Sequence, residues 1–289
     1  MSTRRGLTLA AVLVTALVAG CGGQHSSERP AVASYVKQVN TIESALVKPL
    51  GAVTSAASQF SSEQSPSKST TAGLPSSSPE RTLEQAWTRI LALRAHLAAI
   101  KPPPAAQHLR TLLLELIDGQ AAMTHEVGEL VAFLPQYNAA LASLGPAIRR
   151  LERALSRRSA YGAAAVHAVY HDKAAALRRF QGETATVIHE LRRLAPPAVS
   201  QPGYAAQLAS VKGMGLSAGR LAAVLDSGAP SNVQPLLVQF DRAAARSSTL
   251  AVQKAEIAAI RAYDSRSTAL DDLSQKVALE RLRLSNTLH

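Results

Sequence analysis

The sequence predicts an all-α protein, an elongated antiparallel bundle of long helices. Apolar residues recur at steps of three and four through most of the 289 positions, which is the helical period. Alanine and leucine are abundant, and both favour helix. No alternating run of β-branched or aromatic residues indicates a strand. Because aromatic residues make up only 4% of the chain, we expect close helix packing through small side chains.

The first predicted helix spans residues 30–60. Its apolar positions follow the helical period as Val32, Val36, Val39, Ile42, Leu46, Leu50 and Val53. Pro49 lies inside this stripe, and proline removes a backbone donor and clashes with the preceding turn, so we expect a kink or an end there. Residues 61–79 are rich in serine, threonine and proline without periodicity, which predicts a flexible loop.

Residues 80–289 read as a helical bundle punctuated by proline and glycine. The predicted helices are 80–100, ending at Pro102-Pro103-Pro104; 109–134, ending at Pro135; 136–157, interrupted at Gly145-Pro146; 160–194, ending at Pro196-Pro197; 204–226; and 232–284. The last of these keeps near-heptad spacing over much of its length, which is typical of a coiled coil.

Two of these helix ends resemble each other. Leu97, Ile100 and the prolines after them match Leu191, Leu194 and the prolines after those, and a long helix follows each pair. A duplicated helical hairpin explains the match. Two unrelated helices that use the same stop signal explain it equally well, because proline is common just past a helix end.

The N-terminus has the order of a secretory signal peptide. Arg4 and Arg5 precede an uncharged apolar run, and small residues follow at positions 18–20. The next residue is Cys21, the chain's single cysteine. The stretch Val18-Ala19-Gly20-Cys21 resembles the lipobox of bacterial lipoproteins, which implies cleavage before Cys21 and acylation of its sulfur. The apolar run is shorter than the roughly 20 residues that a spanning helix needs.

The lipobox resemblance implies a signal peptide at 1–20 and a lipid-anchored tether at 21–29. It places the protein outside the cell, on the outer face of the cytoplasmic membrane. Both the general secretory route and the twin-arginine route remain open, because Arg4-Arg5 fits either. Loss of residues 1–20 removes two arginines from a formal charge of +11, which leaves +9. With one cysteine, no internal disulfide is available, so stability must come from packing.

Sequence motifs typical of enzymes are present only in part or in the wrong structural context. Gly215-Leu216-Ser217-Ala218-Gly219 matches the nucleophile elbow of hydrolases, which needs a preceding strand, but a helical stripe runs through it. Glycines four apart on a helix instead indicate close approach of a neighbouring helix. The stretch at His125 begins like a zinc-protease motif and lacks its second histidine. We therefore predict a non-enzymatic protein without a cofactor.

One histidine pair has the spacing of metal ligands. His167 and His171 lie four residues apart on one predicted helical face. A transition metal needs a third ligand from another helix. No such ligand is evident from the sequence, and the plainer interpretation is an exposed or half-buried pair.

A cluster of arginines is the candidate binding surface. Arg149, Arg150, Arg153, Arg157 and Arg158 lie at one predicted helix end. On an exported protein such residues face lipid headgroups and anionic wall polymers, not nucleic acid. The alternative is a solvated helix face with acidic residues interleaved, which the macrodipole favours at a C-terminus.

Together these features predict a lipid-anchored envelope protein that binds or scaffolds through helical faces. Its expected partners are the membrane, through lipid on Cys21, and an envelope protein or anionic polymer. The alternative is a bundle that holds a small apolar ligand or a metal between helices. In style the chain also resembles the Ala- and Arg-rich helical lipoproteins of high-GC Gram-positive bacteria, a group that implies no particular activity.

Overall fold

The all-α prediction is confirmed in a computed structural model of the chain. The structure describes residues 28–63, 78–156, 163–227 and 250–288, together with Pro235, Val238 and Phe240. No strand occurs among these residues. Their α-helices are α1 (Glu28–Glu63), α2 (Pro79–Ala99), α3 (Gln107–Leu141), α4 (Leu144–Leu155), α5 (Ala163–Arg192), α6 (Gln201–Asp226) and α7 (Leu250–Leu288), with a 3₁₀ turn at Pro104–Ala106.

The chain divides into two compact units. Unit 2 comprises Ala132–Tyr263, and unit 1 comprises the residues before and after it. The two boundaries lie inside α3 and α7, where the helix continues without a break. The sequence had predicted a single bundle over residues 80–289 with a separate N-terminal helix. In the structure, α1 shares a core with α2, the first part of α3 and the end of α7.

Unit 1 is built on apolar stripes that face one another. The first half of α1 packs against the end of α2, with Val39 and Leu97 in one cluster. The end of α1 packs against the start of α2, with Val53 and Leu83 in another, so the two helices run antiparallel. Burial of each large aliphatic side chain contributes about 1.5–3 kcal/mol, so these stripes hold the helices together.

Unit 2 is built in the same way from the end of α3, α4, α5 and α6. Leu151, Leu177 and Leu221 are buried in its core, and Phe240 packs there too. The rings of Phe180 and Phe240 meet edge to face with centroids 6.2 Å apart. Such pairs contribute about 0.5–1.5 kcal/mol beyond the area that they bury.

Two prolines that were predicted to mark helix ends lie inside helices. α1 continues past Pro49 to Glu63, and α3 continues past Pro135 to Leu141. A proline costs about 3 kcal/mol in a helix interior. In α1, Leu46 and Val53 are buried on either side of Pro49, and burial of the continuing stripe offsets that cost. The predicted end at Pro135 is therefore wrong, and Pro49 does not stop α1.

The other helix limits shift for reasons of capping. The sequence predicts a break at Gly145-Pro146. In the structure the break lies just before these two residues, because α4 begins at Leu144 and Pro146 is in the first turn of α4. A first turn has no backbone acceptor for its N–H groups, so proline is tolerated there. α2 begins at Pro79, where the Ser78 hydroxyl accepts from the Arg81 N–H at 3.4 Å. Most of the predicted 61–79 loop, at residues 64–77, lies outside the described residues.

The two proline-ended hairpins, α2–α3 and α5–α6, align with each other at one constant sequence offset. Each residue of the α2–α3 hairpin corresponds to the residue 94 positions later in α5–α6. The Ile100 N–H donates to the Leu97 carbonyl at 3.3 Å, and the equivalent Leu194 N–H donates to the Leu191 carbonyl at 2.9 Å. Buried residues coincide in the same register as Leu83 and Leu177, Ile90 and Thr184, Ile117 and Val211, and Val131 and Leu225.

Each hairpin also has a side-chain hydrogen bond across its turn. Arg110 donates from Nη2 to the carbonyl of Ala98 at 2.6 Å. Its equivalent, Tyr204, donates from its hydroxyl to the carbonyl of Leu191, also at 2.6 Å. In each hairpin, a long polar side chain of the second helix thus satisfies a carbonyl near the end of the first. The two acceptors, Ala98 and Leu191, are one position apart in the shared alignment, so both explanations of the match stay open.

Glycine allows α6 to approach α5 closely, as its spacing predicted. A Cβ at Gly215 would overlap the side chain of Thr184. One at Gly219 would lie 2.7–2.8 Å from the amide end of Gln181. Thr184 is buried, and its hydroxyl donates to the Gln181 carbonyl at 2.8 Å, so it has little freedom to move away.

Alanine substitution at two glycines of α6 separates packing from helix propensity. Gly215→Ala should lower the free energy of unfolding by about 1 kcal/mol, because overpacking outweighs the propensity gain. Gly213→Ala should raise it by about 0.5–1 kcal/mol, because nothing lies within 4 Å of the added Cβ. Denaturant unfolding followed by circular dichroism measures both. Equal gains at the two sites would contradict the close approach of α5 and α6.

Candidate anion-binding surface

The arginines of α4 lie on the side of the helix away from its core residues. Leu144, Ala147 and Leu151 are buried, whereas Arg149, Arg150 and Arg153 are exposed. This separation follows from the helical period, since the arginines fall between the apolar positions. The remaining two residues of the predicted cluster, Arg157 and Arg158, lie outside the described residues.

The exposed arginines of α4 differ in their partners. Arg150 forms an ion pair with Glu183 of α5, at 2.8 Å between Nη2 and Oε1. Arg153 donates from Nε to the carbonyl of Arg149 at 3.2 Å. The Arg149 guanidinium forms no ion pair with any described residue. Arg149 and Arg153 therefore present charge to solvent, whereas Arg150 is largely compensated.

A small groove separates α4 from α5. It encloses about 70 Å³, with Leu151 and Phe180 on its buried side and Arg150, Arg179 and Glu183 at its polar edge. Pockets for drug-sized ligands enclose roughly 300–1,000 Å³. The groove therefore accommodates no more than a single small group. At its edge Glu183 already pairs with Arg150, which leaves Arg179 as the edge cation without an ion pair to a described residue.

Further basic residues lie on α5. Arg178 forms an ion pair with Asp226 of α6, whereas Arg179 forms none with a described residue. Arg192, the last residue of α5, and Arg193, which follows it, are exposed where the helix dipole favours positive charge. The basic surface thus extends from α4 across α5, and only part of it is neutralised by acids.

The predicted histidine pair has no third ligand in the described structure. His167 and His171 are both exposed on α5. Among the described residues, no group of three His, Cys, Asp or Glu side chains is placed to hold a metal. The arrangement is that of a solvated histidine pair.

The serine motif lies in the middle of α6. Residues 215–219 are helical throughout, and the helix begins fourteen residues before Gly215, at Gln201. The strained strand-to-helix turn of a nucleophile elbow is therefore not formed. The motif's glycines serve the packing against α5 instead.

A polar cluster in unit 1 was missed in the sequence. Glu280 of α7 is 8% exposed and accepts two bonds from Arg283, at 2.8 Å from Nε and 2.6 Å from Nη2. Arg283 also donates to the carbonyl of Ala105 at 3.1 Å. The Arg283 hydrogen bonds hold the pKa of Glu280 below its ordinary value, although burial opposes this. The i, i+3 spacing of a Glu and an Arg was the available signal.

Glu280 and the buried Tyr35 keep opposite protonation states near neutral pH. The hydrogen bonds from Arg283 favour the ionised form of Glu280. Burial raises the pKa of the Tyr35 hydroxyl, which makes no hydrogen bond to a described residue, so it stays protonated. Both groups are interpreted as parts of the unit 1 core.

Comparison with known proteins adds no relative. No family model matches the chain, no curated protein matches it, and no solved structure matches it. Separately, none of the described helices combines the length and the apolar character needed to cross a membrane.

The Glu280–Arg283 pair predicts a pH dependence of stability. Because the folded-state pKa of Glu280 is lowered, the pair stabilises the fold above the ordinary value of 4.5. That stabilisation is lost as the pH falls through the lower folded-state pKa. Glu280→Gln should therefore be less stable than the parent chain at pH 7, with a difference that shrinks toward pH 3.

Urea unfolding between pH 3 and pH 7 measures this dependence. The exposed Glu115→Gln is the matched control, and its difference from the parent chain should stay near zero across the range. A Glu280→Gln difference that is constant with pH would contradict the role given to the ion pair.

Proposed function

We propose that this protein is exported, anchored by lipid on Cys21, and acts as a non-enzymatic binding or scaffolding module through the outer faces of its helices. The observation that carries the proposal is the lipobox-like Val18-Ala19-Gly20-Cys21, which ends a signal-like N-terminus. Two acyl chains give stable membrane anchoring, whereas one gives marginal binding.

The form of the described surface supports binding by a helix face. Exposed arginines lie along α4 and α5, and two of them, Arg150 and Arg179, line the groove of about 70 Å³ between these helices. A partner that lies across a helical surface can use such arginines without entering a cavity.

The alternative, a small apolar ligand or metal held between helices, has less support. The α4–α5 groove is below the usual size for such a ligand, and the described residues hold no three-ligand metal cluster. A rise in melting temperature with a lipid extract or with zinc would favour this alternative.

Substitution of the lipidation site tests the anchor. In cells that express the full chain, Cys21→Ala should leave the protein without acylation and release it from the membrane pellet. Intact-mass analysis of the mature N-terminus and membrane fractionation after a high-salt wash measure the two effects. The wash removes protein that is held by charge alone.

The nearby Ser26→Ala is the matched control, since it changes the same stretch and leaves the thiol in place. It should remain acylated and pellet with the membrane. An unmodified Cys21 in the parent chain, or a Cys21→Ala chain that still pellets after the wash, would refute the lipid anchor.

A further inference from the structure

The charge of this protein is divided unequally between its two units. Residues 132–263, which form unit 2, contain 16 of the 31 Lys and Arg residues and only 7 of the 20 Asp and Glu residues. Their formal charge is +9. The rest of the chain contains 15 basic and 13 acidic residues, and two of those basic residues are Arg4 and Arg5 of the signal-like segment. Without residues 1–20, unit 1 is neutral and unit 2 carries the whole excess.

Several acids of unit 2 are already used internally. Glu183 pairs with Arg150, and Asp226 pairs with Arg178. Exposed cations remain on three successive helices, as Arg149 and Arg153 of α4, Arg179 and Arg192 of α5, and Lys212 and Arg220 of α6. The potential around this unit is therefore positive, which attracts anionic partners and speeds their association.

Unit 1 has an ordinary mixture of charges. Lys48, Arg81 and Arg89 are exposed there, but acids balance them in number. Several of its cations pair with acids of other helices, as Arg94 does with Asp118 at 2.7 Å and Arg281 does with Glu43. The basic residues of unit 1 are thus balanced by acids, and several pair with them, whereas the basic residues of unit 2 are in excess.

The placement of the cations favours a chain-like partner over a flat one. The exposed cations are distributed over α4, α5 and α6 and are not confined to one helix. A flexible polyanion can follow the surface from helix to helix and meet many of them.

We infer that unit 2 is a polyanion-binding module whose partner is a linear envelope polymer with repeated phosphate or carboxylate groups. The arginines of α4 and α5 contact the anionic groups, since the guanidinium fork matches both. This inference rests on the proposed binding role and names its partner class and the unit that provides it.

Matched charge variants test the assignment. The mature chain with Cys21→Ala is used, so that acylation plays no part. Its Arg149→Gln/Arg153→Gln/Arg179→Gln variant should bind long-chain polyphosphate and poly-glutamate at least about tenfold more weakly at low ionic strength. The Lys48→Gln/Arg81→Gln/Arg89→Gln variant loses the same three charges from unit 1 and should change binding less than about threefold. Binding should weaken steeply with added salt.

Three results would overturn the inference. Equal losses in the two variants would mean that the total charge matters and unit 2 does not. Binding to vesicles of anionic phospholipid without binding to either polymer would assign the surface to the membrane. Absence of binding to any of these probes at low salt would remove the anionic partner. Circular dichroism must show the same helix content in both variants. The lipid anchor is tested separately in cells, so either proposal can fail alone.

Discussion

Burial of apolar helix faces is the constraint on which the rest of this structure depends. With one cysteine, the chain has no internal disulfide to hold its helices together, so side-chain packing must do so. Small residues bring the helices close, as Gly215 does beside Thr184, and leucines fill the space between them. Each helix must therefore keep its inner face apolar, and its outer face is left free for charge.

This division of faces links the fold to the proposed function. A core of aliphatic side chains needs no charged group, so the outer positions of α4 and α5 can carry arginine without disturbing it. In unit 1 the outer charges are balanced and several join neighbouring helices, whereas in unit 2 a large excess remains. The proposed lipid anchor is joined in sequence to the neutral unit, and the proposed polymer-binding surface belongs to the basic one.

The positions of many helices could be predicted because residues that are close in sequence determine them. The stripe around Ile90 and the prolines after Ile100 predicted α2 and its end. The spacing of Gly215 and Gly219 predicted the close approach of a neighbouring helix, which the structure identifies as α5. Pro49 and Pro135 misled the prediction because a proline's local cost competes with burial along the whole helix. The Glu280–Arg283 pair was missed because its burial depends on residues far away in the sequence, such as Ala105.

The sequence by itself determined the all-α class, the apolar stripes, most helix limits and the arginine cluster, because periodicity and turn chemistry act over a few residues. The lipobox-like Cys21 is likewise a property of sequence alone. The tertiary structure decided that two compact units form, that their boundaries lie inside α3 and α7, and that the charge excess belongs to one of them. Those outcomes depend on which distant stripes meet, and a helix's own sequence does not specify its neighbours.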